Sequence, residues 1–194
     1  FCPEKTIIST GLSKWCGAGG WRLGYFVVPE ELKVIKDSLN ILASETFSAV
    51  SAPIQYAAIQ AFELDHSIYI NLSRKILKSV GEYVYKNLSS NKVLINKPQG
   101  GFYLMPEFIT KKFNSSSEMC DVILKETGVV LLPGSNFGFD EKKMLARLSF
   151  TDFDGKNFMD ECKKGHNIDD HLISKCAPKV VEGVVRLKKW SETI

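Results

Sequence analysis

No stretch of this sequence is apolar for long enough to span a bilayer. The opening Phe1-Cys2-Pro3-Glu4 lacks the features of a secretory signal. An initiator methionine is absent too, so the chain is expected to be less than a complete translation product. Charge of one sign is scarce: 25 Lys and Arg against 22 Asp and Glu leave a net +3. That is too little to argue for nucleic acid or an acidic membrane as a partner. A disulfide framework is missing, because five cysteines is an odd count at irregular spacings. Free thiols fit a reducing, cytoplasmic setting. Internal repeats and low-complexity tracts are missing as well. What remains is an ordinary globular composition, 44% hydrophobic, over 194 residues. That length can bury a good core, as one domain or as a domain plus a piece of another.

The most informative stretch is Leu12-Ser13-Lys14-Trp15-Cys16-Gly17-Ala18-Gly19-Gly20-Trp21-Arg22-Leu23. It joins two runs that read as strands, Thr6–Thr10 and Gly24–Val28, both rich in β-branched or aromatic residues. Glycines let backbone approach a ligand closely. A lysine in such a turn can meet a carbonyl and form a Schiff base. An arginine nearby offers a rigid fork of donors to a phosphate. A cofactor with both an aldehyde and a phosphate needs both partners, and pyridoxal 5'-phosphate (PLP) is such a cofactor. Each residue alone is commonplace. Most lysines and arginines are solvated, and a glycine cluster between strands is most often a plain loop.

Downstream, Pro29 is expected at a first helical position, with Leu32, Ile35, Leu39 and Leu42 at helical spacing after it. A second helix restarts at Ser51-Ala52-Pro53 and carries Ile54, Ala57, Ala58, Ala61 and Phe62. Asp65 reads as the N-cap of a long helix. Its residues Ile68, Leu72, Ile76, Val80, Val84 and Leu88, spaced by four, form one stripe. Val93–Ile95 and Phe102–Met105 are expected to pair around the Gly100-Gly101 turn. Glu118–Thr127 reads as a helix stopped by Gly128, Val129–Leu132 as a buried strand and Met144–Phe150 as the next strand. Val180, Val184, Leu187 and Trp190 share one face of a tail helix.

Ser13-Lys14, five residues, then Gly20-Trp21-Arg22-Leu23-Gly24-Tyr25 resembles the lysine region of class I/II aminotransferases, the fold-type I PLP enzymes. Three further pieces occur in that family's order: Pro98-Gln99-Gly100-Gly101-Phe102-Tyr103, Pro133-Gly134-Ser135-Asn136-Phe137-Gly138 and Arg147-Leu148-Ser149-Phe150. The resemblance covers nearly the whole chain but only the C-terminal half of the family. It implies an α/β fold with an α+β small domain. Residues 1–45 would be a remnant of the large PLP-binding domain and its parallel sheet, 46–90 connecting helices, and 91–194 the C-terminal small domain.

By this resemblance Lys14 is the Schiff-base lysine and proton carrier, Arg22 binds the cofactor phosphate, and Arg147 grips the substrate α-carboxylate. A charge on so apolar a strand is costly unless paired. Gly134, Phe137 and Gly138 read as turn architecture that positions Arg147. Phe102 and Tyr103 are core residues or shape the substrate pocket. Where the family commonly has a serine or threonine three residues before the lysine, this chain has Gly11. Ser9, Thr10 or a backbone N–H would then replace the hydroxyl. The implied activity is amino-group transfer between an amino acid and a 2-oxo acid by a homodimer, the chain alone being inactive. A C–S lyase, an aminocyclopropane-carboxylate synthase or a non-catalytic assembly fragment are the alternatives. Cys162, His166, His171 and Cys176 have intervals loosely like zinc spacing but no paired ligand motif, so no metal is expected.

Overall fold

The computed structural model describes residues 2–194. They divide into two compact units, one ending at Ile70 and the other running Asn71–Ile194.

In the first unit, β1 (Ile8–Gly11) leads into α1 (Leu12–Trp15), a single helical turn, and the chain returns as β2 (Gly24–Val27). The Thr6–Thr10 strand is displaced toward Gly11. The Thr6 hydroxyl and amide donate to the Cys2 and Pro3 carbonyls, at 2.7 and 3.2 Å, and close a turn before pairing begins. The two strands pair antiparallel with each other, Ile8 opposite Val27 and Gly11 opposite Gly24, because the short connection doubles the chain straight back. Pro29 precedes a 3-10 turn, Glu30–Leu32, rather than opening the helix itself. α2 (Lys33–Thr46) and α3 (Ala52–Glu63) follow. Their apolar residues keep helical spacing, yet Ala58 is the one they bury.

α4 (Ser67–Leu88) crosses from one unit into the other. The Asp65 carboxylate accepts the Ser67 amide at 2.8 Å and its hydroxyl at 3.0 Å, which holds that carboxyl below its usual range. Of the predicted stripe, Ile76, Val80, Val84 and Leu88 are buried in the second unit's core, while Ile68 is exposed.

The second unit contains β3 (Val93–Leu94), β4 (Tyr103–Leu104) and β5 (Glu107–Phe108), then α5 (Ser116–Thr127), β6 (Leu132–Pro133) and β7 (Ala146–Ser149). The expected pairing of the 93–95 and 102–105 strands does not form. β3 pairs with β5, and β4 pairs with β7. Strands of two residues carry no period of their own, so pairing is decided by which core side chains must face each other. β7 is the centre of an antiparallel β4-β7-β6 sheet. The 129–132 segment is a paired strand only from Leu132. Thr127 Oγ1 takes the Val129 amide at 3.1 Å, and Val130 is exposed while Leu131 is buried. α5 ends at Gly128, in the left-handed region at φ 72°. α6 (Gly155–Lys163), α7 (Asp170–Cys176) and α8 (Pro178–Ser191) complete the unit, with Val180, Val184, Leu187 and Trp190 buried along α8. Antiparallel sheet and helices around one core give the α+β character expected of this part. Among the described residues no helix is long and apolar enough to cross a membrane.

Candidate functional site

The β1–β2 connection is built around Leu12, which is fully buried, so Lys14 two residues on faces outward on α1. The Leu12 amide donates to Leu23 O at 3.2 Å and the Ala18 amide to Leu12 O at 3.1 Å. Trp15 meets the Phe62 ring at 5.5 Å and the His66 ring at 5.2 Å, and Tyr25 meets Phe62 at 5.7 Å. This aromatic cluster ties the turn to α3, within one unit. It escaped the sequence reading, because Phe62 was assigned only to an apolar helix face.

Gly11, the departure from the family pattern, has a local cause. A Cβ there would lie 2.6 Å from Leu23 O and 3.1 Å from Gly24 Cα, so the strands close on each other only without one. Ser9 and Thr10, the candidate replacements, are exposed on β1. Arg22 is exposed and in the left-handed region at φ 55°, ψ 43°, with Nη1 donating to Gly19 O at 2.9 Å. A non-glycine residue held there costs about 1 kcal/mol. The connection thus carries a primary amine and a guanidinium on one folded hairpin, and the strain falls on the residue bearing the guanidinium.

Arg147 belongs to the other unit. It is half-buried on β7, where Leu132 is its partner across the β6 pairing. Among the described residues no carboxylate lies within ion-pair distance. Instead its Cζ lies 4.3 Å from the centroid of the Tyr103 ring and 4.3 Å from that of Phe137. Tyr103 reaches it from β4, whose register sets Tyr103 opposite Ser149 and so makes Tyr103 the diagonal neighbour of Arg147. Phe137 comes from the 3-10 turn Gly134–Phe137, which ends at Gly138 with φ 83°. That turn docks on the entry to β7: the Gly134 amide donates to Leu145 O at 2.7 Å, and a Cβ on Gly134 would lie 2.9 Å from the same oxygen. Phe102 packs against the core and Tyr103 does not.

The Cys/His group has a different organiser, Glu161, which the sequence reading missed. This buried carboxylate accepts Lys164 Nζ at 2.6 Å and Lys175 Nζ at 2.9 Å, and His166 Nδ1 lies 3.5 Å from it. The two lysine bonds pull its pKa down to about 2. Burial pushes the Cys162 and Cys176 thiols up, and His171 is exposed. Among the described residues no three His, Cys, Asp or Glu side chains are gathered to hold a metal.

The family model described as aminotransferase class I and II matches residues 2–158, a span that contains Lys14, Arg22 and Arg147. The chain belongs to the class I and II aminotransferases. An aspartate aminotransferase of Sulfolobus acidocaldarius is 33% identical over 149 residues, covering 75% of this chain and 36% of that protein. An aromatic-amino-acid aminotransferase of Thermococcus litoralis is 34% identical over 139 residues, covering 70% of this chain and 34% of its own. The crystal structure of an aromatic aminotransferase from Pyrococcus horikoshii shares the fold, with TM-score 0.74 and 24% identity, over 98% of this chain and 44% of that one. This aminotransferase chain therefore spans about a third of the length of the curated relatives it matches, and its fold is a partial α/β fold of the fold-type I aminotransferases.

Proposed function

We propose that the chain is the C-terminal portion of a PLP-dependent aminotransferase that moves an amino group between an amino acid and a 2-oxo acid by a ping-pong route. The observation that carries this reading is the β1–β2 connection. It sets Lys14 and Arg22 on one hairpin within the matched span. An amine and a guanidinium suit a cofactor that bears an aldehyde and a phosphate, so the residues present fit PLP. When bound, PLP supplies an electron sink for the bonds at the substrate Cα. Lys14 would hold the aldehyde and, once released, take and return the proton at that carbon. Arg22 would bind the phosphate through paired N–H donors. Arg147, with no carboxylate among the described residues to neutralise it, would take the substrate α-carboxylate.

The division into large-domain residues 1–45, connecting helices 46–90 and small-domain residues 91–194 is part of the same proposal, as are the homodimer and the cytoplasmic setting. The chain alone is inactive on this reading, because preorganised charge stabilisation from the rest of the fold is the largest catalytic contribution. The test compares the 194-residue chain with the intact enzyme, each given PLP, an amino acid and a 2-oxo acid. Exchanged amino and oxo acid products from the intact enzyme, and background turnover from the chain, are expected. Elimination products would transfer the reading to a lyase on the same scaffold. Turnover by the chain near the intact rate, abolished by Lys14→Ala, would show that Lys14 needs no groups outside these residues.

A further inference from the structure

We propose that Tyr103 and Phe137 are positioning residues that clamp Arg147 as a preorganised carboxylate receptor. This rests on the reading that Arg147 takes the substrate carboxylate, and it adds what makes that arginine fit to do so. A free arginine side chain loses considerable rotamer freedom when it binds an anion. Here the guanidinium carbon already lies over two aromatic rings, 4.3 Å from each centroid. At that distance the rings limit how the guanidinium turns, so much of the ordering precedes ligand arrival. Among the described residues no carbonyl or carboxylate takes its N–H groups, so the donor fork stays available to a ligand. A ring face attracts the cation electrostatically without neutralising it, as a carboxylate neighbour would. The charge is therefore kept in place and kept unspent.

The two rings reach Arg147 by separate routes, which makes the clamp a product of the fold. Tyr103 is fixed by the β4–β7 register, and Phe137 by the 3-10 turn docked through Gly134 onto Leu145. Both rings are 39% exposed, more than core packing would leave them. Their truncation should therefore spare the core.

The test uses the 194-residue chain with isotope-labelled arginine, and sodium succinate as the probe. The Arg147 resonances are identified by their loss in Arg147→Lys. Ring currents should displace them upfield of the other arginines. Phe137→Leu and Tyr103→Leu should each reduce that displacement and weaken succinate binding about two- to fivefold, the range for an exposed cation–ring contact. Phe137→Tyr should preserve both, and backbone amide spectra should stay unchanged away from the substitutions. An ordinary Arg147 shift in the unsubstituted chain, or leucine variants that move neither readout, would overturn the clamp. If the displacement is ring-dependent but succinate leaves Arg147 unmoved, the clamp stands and the carboxylate assignment falls.

Discussion

Among the described residues up to Ile70 two apolar side chains, Leu12 and Ala58, are buried, while Ile8, Phe26, Val34, Phe47, Tyr56 and Ile68 stand more than half exposed. From Asn71 onward one contiguous core runs from Ile76 through Phe108, Ile123, Phe150 and Phe158 to Trp190. Both regions have helices with apolar stripes. In the second those stripes close on a shared core, while in the first most of their residues stay exposed, so the periodicity that makes a helix is not what covers it. Exposed apolar side chains on this scale suit an interaction surface. They fit the proposal that this chain is one part of a larger aminotransferase, with the amine and the strained arginine carried on the uncovered part.

Removing one aromatic from each region should give the largest difference between them. Phe158, fully buried, should cost ~3–5 kcal/mol as Phe158→Ala. Phe62, half exposed and held by its ring contacts with Trp15 and Tyr25, should cost about 1 kcal/mol as Phe62→Ala. Denaturant titration of the two variants gives the contrast. Equal losses would mean that the first unit has a core of its own.

A smaller effect concerns acid. The Glu161 pKa falls from its ordinary 4.5 to about 2 in the fold, so its contribution to stability is complete above about 4.5 and is lost as the pH drops toward 2. Glu161→Gln should lower stability near neutrality and flatten its decline between those two values. Urea midpoints collected across that range check this. An unchanged acid slope in the variant would show that Lys164 and Lys175 are not held through this carboxylate.

The long helices were legible because their apolar residues recur every three or four positions and their ends carry ordinary signals. Ser115 caps α5 by accepting the Glu118 amide at 3.1 Å, and Gly128 stops it. The strands of the second unit were not legible as pairs. Two residues give no alternation, and β4 finds its partner, β7, across α5 and β6. At the site, the residue types and order of Lys14, Arg22 and Arg147 could be read directly. Their surroundings could not, because Tyr103, Phe137 and Arg147 come from three separate segments, and so do Trp15, Tyr25 and Phe62. Glu161 was hidden for a related reason. A glutamate between lysines on a polar helix looks solvated until Lys175 arrives from α7.

The proposal that the β1–β2 connection is the cofactor-holding element is tested most directly by borohydride trapping. The chain is incubated with PLP, or with pyridoxal, which has the aldehyde and no phosphate, then reduced, and the modified lysines are identified by peptide mass. PLP should label Lys14 ahead of the other exposed lysines, and pyridoxal, or PLP with Arg22→Ala, should lose that preference. Label spread evenly over the surface lysines, or the same Lys14 preference with pyridoxal, would contradict it.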